Sequence, residues 1–173
     1  MTQPFRLVAM VVICAVLLSG CGAAGETAAT GTSTVTVTNC GEEVTFPQPV
    51  DRLFVNDGGM IAIALAAGAR EQMVAVSSMA RDVDVLRMAF GPQVDTLNEV
   101  TSGRPTLEHI VAAKPQVLYA GYNYGLGEER GITPEILGGY GISVYQLSEA
   151  CRQVDGQPMR GTMDPWVALD TDL

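Results

Sequence analysis

Basic and aromatic side chains are scarce in this chain. Ten Lys and Arg stand against nineteen Asp and Glu, which leaves a formal charge of −9. An acidic surface of that kind disfavours nucleic acid and anionic membranes. Capture of a strongly anionic ligand becomes a local matter for particular arginines. There is a single histidine, His109. It falls beside the apolar stripe of a helix, where a surface or half-buried role fits better than a catalytic one. No Ser or Cys has a recognisable base partner, and the chain has neither a Gly-x-Ser-x-Gly elbow nor a phosphate loop. Gly58-Gly59 follows a strand pattern, but the third glycine and the later acid of a dinucleotide fingerprint are missing. Neither Cys40 nor Cys151 neighbours a His or an acidic cluster of metal-ligand spacing. The composition therefore argues against an enzyme and against a resident metal or cofactor.

Long hydrophobic runs are also lacking. The apolar run Leu7–Leu18 has twelve residues, too few for a membrane-spanning helix but suited to the core of a signal peptide. Its flank carries one basic residue, Arg6. Leu18-Ser19-Gly20-Cys21 directly after it resembles a bacterial lipobox, which implies cleavage before Cys21 and a diacylglycerol on its thiol. The alternative is an ordinary signal peptide with an incidental cysteine. The Gly, Ala, Thr and Ser that follow cannot bury a core and read as a soft tether. The expected division is a signal peptide over 1–20, a lipidated Cys and tether over 21–33, an α/β lobe over 34–160, and a closing segment over 161–173. In an exported chain, Cys40 and Cys151 are either one disulfide or two buried free thiols.

Secondary-structure signals are plentiful in the remaining residues. Thr34–Thr38 alternates as a half-buried strand should, Asn39-Cys40-Gly41 turns, and Glu42–Phe46 returns as a hairpin closed by Pro47 and Pro49. Core strands are expected at Arg52–Asn56, Met73–Val76, Gln116–Ala120 and Ile142–Leu147. Helices are expected at Met60–Ala67, from an Asp82 cap through Phe90, and at Ile132–Gly141 with Thr133 as cap and Pro134 at the first position. On the second of these, Val85, Leu86 and Ala89 are the expected buried face. Val94–Val100 is ambiguous, Asp155–Gly161 is polar and turn-rich, and Asp164-Pro-Trp begins another helix. The stretch Arg104–Gly121 holds loop, helix, turn and strand together. Thr106 is a natural N-cap, Leu107, Ile110 and Val111 form one stripe, and Lys114-Pro115 ends the helix. Glu108 sits one position short of a capping box. Alternating strands and helices argue for a mostly parallel sheet of about four core strands, covered on both faces and preceded by the hairpin.

Several stretches share a pattern with one family. They are Thr36-Val-Thr-Asn-Cys-Gly41, Val44-Thr-Phe-Pro47, Asp51-Arg-Leu-Phe-Val-Asn56, Leu65-Ala-Ala-Gly-Ala69 and the whole of Arg104–Gly121, with Gln116 where an Asp is usual. On these, with the lipobox and tether, the chain resembles the amino-terminal half of a class III periplasmic substrate-binding lipoprotein. This is the ferric-siderophore and cobalamin type that serves ABC importers, and the placement of Cys40 and Cys151 is like that of actinobacterial members. The resemblance implies a Rossmann-like lobe, a lipid-anchored position on the outer side of the cell membrane, ABC permease subunits as partners, and a ferric siderophore or related metal-chelate as ligand. It also implies a second lobe, which the chain does not reach, since it ends near the start of the interlobe segment. Half of a micromolar site's binding energy leaves about millimolar affinity.

Carried over by position, the ligand loops are Asn56-Asp57-Gly58-Gly59, Ser78–Arg81, Ser102–Arg104 and Tyr122-Asn123-Tyr124. Asn56, Ser78, Arg81, Arg104, Tyr122, Asn123 and Tyr124 are the candidate ligand contacts. Arg81 and Arg104 either hold carboxylates or phosphates of a ligand or are solvated arginines. Tyr122 and Tyr124 either stack on a ligand ring or pack their loop. Glu71 matches an acidic permease-docking position, with a solvated charge as the plain alternative, and Trp166 suits core or interlobe packing. The competing function is a truncated or partner-binding envelope lipoprotein without a small ligand. Under it, Arg81→Ala and Arg104→Ala change nothing while surface acids matter.

Overall fold

The computed structural model describes residues 33–121, 125–152 and 163–172. The signal segment, Cys21, the tether up to residue 32, the Tyr122–Tyr124 loop and the Asp155–Gly161 turn lie outside the described residues. Among those described, no helix is long and apolar enough to cross a membrane.

Five parallel strands form the central sheet: β3 (Leu53–Asn56), β4 (Met73–Ser77), β5 (Glu99–Thr101), β6 (Val117–Ala120) and β7 (Ser143–Gln146). Their spatial order is β5-β4-β3-β6-β7. Side chains alternate between the two faces, as the strand period demands. Val55 and Val76 join one core with Met60, Ile61 and Leu65 of α1 (Gly58–Ala66) and Leu86 of α2 (Val83–Phe90). Phe54, Ala75 and Leu118 join the other with Ile110 of α3 (Leu107–Ala113) and Leu137 of α4 (Pro134–Gly138). The α/β lobe with helices on both faces is thus present. Its fifth strand, β5, comes from the ambiguous stretch. That strand is three residues long and is recognised by its ladder to β4, where Val76 N donates to Asn98 O at 2.9 Å and Ser78 N to Thr101 O at 3.0 Å.

The amino-terminal hairpin pairs β1 (Ser33–Asn39) with β2 (Glu42–Gln48) through the turn Cys40-Gly41, whose φ values are 53° and 83°. Here the expected half-burial of β1 fails: Val35 is 40% exposed and Val37 37%. The reason is the order of layers. It is β2 that faces the body, with Phe46 buried against Tyr145 and Thr45 O accepting from Ser143 Oγ at 2.9 Å. The second strand also runs through Pro47 rather than stopping there. Asn39 fastens the hairpin to β7 in the manner of a backbone unit: its Nδ2 donates to Gln146 O at 2.7 Å and its Oδ1 accepts from Gln146 N at 2.9 Å. Cys40 and Cys151 are joined by a disulfide, so the free-thiol alternative falls.

Two helix expectations need correction. On α2 the packed residues are Val83, Leu86 and Phe90, while Val85 is 63% exposed and Ala89 is also exposed. Both sets have helical spacing, and the neighbouring 3-10 turn with Val94 decides which one is covered. Helix α4 ends at Gly138, because Gly139, Tyr140 and Gly141 turn the chain into β7; the Thr133 side chain does cap it, accepting from Ile136 N. In α3 the capping box forms after all, with a different partner. The Thr106 hydroxyl accepts from His109 N, and His109 Nδ1 accepts from Thr106 N at 3.2 Å. The lone histidine is a cap. The closing helix α5 spans Pro165–Asp172 and is held through Asp172, whose carboxylate accepts from Tyr145 Oη at 2.8 Å and from Ser148 N and Oγ.

Candidate ligand site at the carboxyl ends of the strands

Chain order reverses between β3 and β6: from β3 the chain steps outward to β4 and β5, then returns to β6 and steps to β7 on the other side. In open parallel sheets the crevice outside such a reversal is the usual ligand position, because the loops on its two sides splay apart. A cavity of about 250 Å³ occupies that place. Met60, Ile63 and Leu147 give it apolar walls, Gly59 and Gly121 give it bare backbone, and Asp57 and Glu149 give it carboxylates. An adjoining cavity of about 210 Å³ shares Ile63, Leu147 and Glu149 and extends past Tyr119 towards Leu169 and Asp172 on α5.

The backbone at this end is unusual. Asp57 and Ser78, just past β3 and β4, have φ values of 85° and 58°, a region non-glycine residues seldom enter. Strain of this kind, of order 1–3 kcal/mol per residue, concentrates at functional sites. Asp57 is the N-cap of α1, its Oδ1 accepting from Gly59 N at 3.1 Å, so the helix starts at Gly58 and the expected Asp57-Gly58-Gly59 turn is mostly its first turn. A Cβ on Gly58 would lie 2.2 Å from Asp82 Oδ2, so the Asp82 carboxylate rests over the start of α1; it makes no side-chain cap bond to its own helix.

The expected contact residues divide into two groups. Asn56 is 1% exposed, and its Oδ1 accepts from Ser77 Oγ at 2.9 Å and Ser78 Oγ at 3.3 Å. Ser78 is buried as well, and its hydroxyl also reaches Gly103 O at 2.8 Å. These two hold the loops after β3, β4 and β5 together from below. Arg81 and Arg104 are exposed above them; Arg81 Nη2 stands 3.9 Å from Asp57 Oδ2, with its side chain 71% exposed. Neither arginine lines the cavity. Tyr122, Asn123 and Tyr124 fall outside the described residues. Glu71 is exposed on a 3-10 turn, Ala69–Gln72, at the amino-terminal end of β4, the pole opposite the cavity. Trp166 is 77% exposed on α5 rather than packed in the core.

Glu149 and Arg130 carry no motif and are identified only by the fold. Glu149 enters the site because the turn after β7 folds back beside α1. Arg130 Nη2 donates to Gly125 O at 2.9 Å and Pro105 O at 3.3 Å, joining the segment after β6 to the start of the α3 loop. Asp172 acts on two tyrosines, Tyr119 of the adjoining cavity and Tyr145 on β7. Burial, and then the charge of Asp172, pushes the Tyr119 phenol up to about 12. Burial, followed by the Asp172 hydrogen bond, raises Tyr145 as well. Both phenols stay protonated across the physiological range.

No protein-family model matches the chain, and no curated protein sequence matches it significantly. Solved structures do. An ABC-type Fe3+-hydroxamate transport system protein from Saccharomonospora viridis aligns over 69% of this chain and 41% of its own, with TM-score 0.50 and 22% identity. A periplasmic binding protein from Veillonella parvula aligns over 70% of this chain and 39% of its own, with TM-score 0.56 and 19% identity. The TroA-like periplasmic binding protein FepB of Veillonella parvula covers the same shares, with TM-score 0.52 and 14% identity. The chain spans about two fifths of the length of these proteins. Its described residues have the fold of one α/β lobe of the class III periplasmic binding proteins.

Proposed function

We propose that this chain is the ligand-binding lobe of a solute-binding component of an ABC-type importer, non-enzymatic, and handling a ferric siderophore or a related metal-chelate. One observation carries the reading: a cavity with strained backbone beside it opens at the reversal of strand order, on a lobe whose structural neighbours are periplasmic binding proteins. Arg81 and Arg104 supply the rim, Asn56 and Ser78 support it, and Tyr122, Asn123 and Tyr124 are the further ligand contacts expected from the sequence. Glu71, exposed at the opposite pole, is the residue that meets a permease subunit in this reading. A diacylglycerol on Cys21 holds the chain on the outer side of the membrane.

Calorimetric titration of the purified chain with ferric hydroxamates, ferric catecholates and corrinoids tests the ligand reading. Saturable binding at or below millimolar concentration supports it, and no heat from any of them at that concentration refutes it. The anchor has a separate test. Cys21→Ser moves the chain from the membrane fraction to the soluble fraction and removes a diacylglycerol mass; an unchanged distribution refutes anchoring at Cys21.

A further inference from the structure

The cavity's charge does not match the expectation that arginines meet an anionic ligand. Its described lining contains two carboxylates, Asp57 and Glu149, and no basic side chain; the rest is apolar or glycine. The start of α1 and the Arg81 guanidinium, which favour anions, are already answered by carboxylates of the chain itself. The amino terminus of α1 is a natural anion seat. Asp57 caps it through Gly59 N, and the Asp82 carboxylate lies over Gly58. The Arg81 guanidinium stands beside Asp57. A polyanion entering the cavity would have to displace these carboxylates or sit beside them in a chain of charge −9. Partial withdrawal from solvent makes such like-charge contacts costlier than they are on an open surface.

From this we propose that the cavity selects chelates whose inserted face is apolar and neutral or cationic, with Glu149 and Asp57 setting the preference, and that it disfavours polyanionic chelates. The inference rests on the reading of the lobe as a ligand-binding one, and it names the charge class of that ligand. Glu149 acts as a specificity residue, stationed by the turn after β7 at the junction of the two cavities. Met60, Ile63 and Leu147 supply the apolar contact. Arg81 and Arg104 then serve the rim, outside the cavity that receives the inserted face.

The test compares three iron complexes on the purified chain by calorimetry at low ionic strength: a monocationic linear ferric trihydroxamate, a neutral cyclic ferric trihydroxamate and a trianionic ferric tris-catecholate. The first two share their metal core, so charge is the main variable between them. A unit charge about 12 Å from a carboxylate, at an effective dielectric of about 20, changes affinity roughly tenfold. The monocation is therefore expected to bind at least roughly tenfold tighter than the trianion, with the neutral complex between them. Added salt narrows the ratio. Glu149→Gln and Asp57→Asn each reduce the cation-to-trianion ratio several-fold, the latter keeping the cap on α1. Asp51→Asn, exposed at the amino end of β3, removes the same charge from the opposite pole and leaves the ratio unchanged. Tightest binding of the trianion, or a ratio unmoved by both Glu149→Gln and Asp57→Asn, overturns this inference while leaving the ligand-binding reading intact. Absence of binding by all three complexes overturns both.

Discussion

Single buried polar residues hold the loops at the carboxyl end of the sheet together, and Asn56 is the clearest of them. Its amide oxygen is shared by the hydroxyls of Ser77 and Ser78, and a Cβ on Gly125, where φ is +92°, would approach its Nδ2 to 2.7 Å. Asn56→Ala removes the acceptor of the buried Ser77 hydroxyl and leaves Ser78 only its bond to Gly103 O. The expected cost is about 1–3 kcal/mol in urea unfolding, with an unchanged dependence on denaturant concentration. A cost near zero would show that the loops are held by other bonds. Tyr119 gives a second prediction at this scale. Its phenol is raised to about 12 in the fold, against about 10 in an unfolded chain. A raised value favours the protonated form in the folded state, so its contribution is complete below pH ~10 and disappears as the pH climbs through ~12. Stability should therefore fall across that window, and Tyr119→Phe should lessen the fall. Equal slopes in the two proteins would contradict the assignment.

Among the elements, the hairpin shows how much a local pattern leaves undecided. The alternation of β1 was readable, as were the Cys40-Gly41 turn and the strand after it. Which strand faces the body was not, because the alternation is the same for a strand with a layer behind it and for one without. Asn39 pairing with Gln146 across the sheet edge is a contact over 107 residues, and no local signal announces it. The same holds for α2, where two stripes of equal spacing compete and the Val94 turn chooses. The Arg104–Gly121 stretch, by contrast, was legible almost residue by residue, since its cap, stripe and proline stop are all local. Even there the partner of Thr106 proved to be His109 instead of an acid. The disulfide is the hairpin's covalent tie, closing a separation of 111 residues. A Cys40→Ser/Cys151→Ser double variant should lose about 4–5 kcal/mol on the chain-entropy model. Hydrogen exchange should quicken most in β2 and β7, beyond the smaller acceleration that the lost global stability gives β3 and β4. Uniform quickening across the central sheet would mean that the hairpin is integral to the core and not an attached flap.

For the molecule as a whole, the fold class follows from the alternation of strand and helix, but the strand order does not. Local periodicity cannot say that the chain returns past β3 to place β6, and a three-residue β5 is too short to stand out from the ambiguous stretch that holds it. Yet that return creates the reversal where the cavity lies. The candidate site was legible to the same extent. The loops after β3 and β4 and the glycine after β6 stood out, and the structure brings Asp57 and Gly121 to one cavity. Glu149 did not stand out, because it lies in a short run before Cys151 with no motif. Asn56 and Ser78 were identified by position, but their burial makes them supports of the loops.

Ligand bound at the strand reversal would shield the backbone around the cavity from solvent. The measurement that tests binding there most directly is hydrogen–deuterium exchange of the purified chain, with and without whichever ferric chelate binds it tightest. Exchange should slow at 57–63, at Gly121 and at 147–149, the segments around the cavity. Protection confined to residues 126–135 would place the ligand in the separate cavity of about 270 Å³ beside Cys40 and Thr133, and would contradict binding at the reversal.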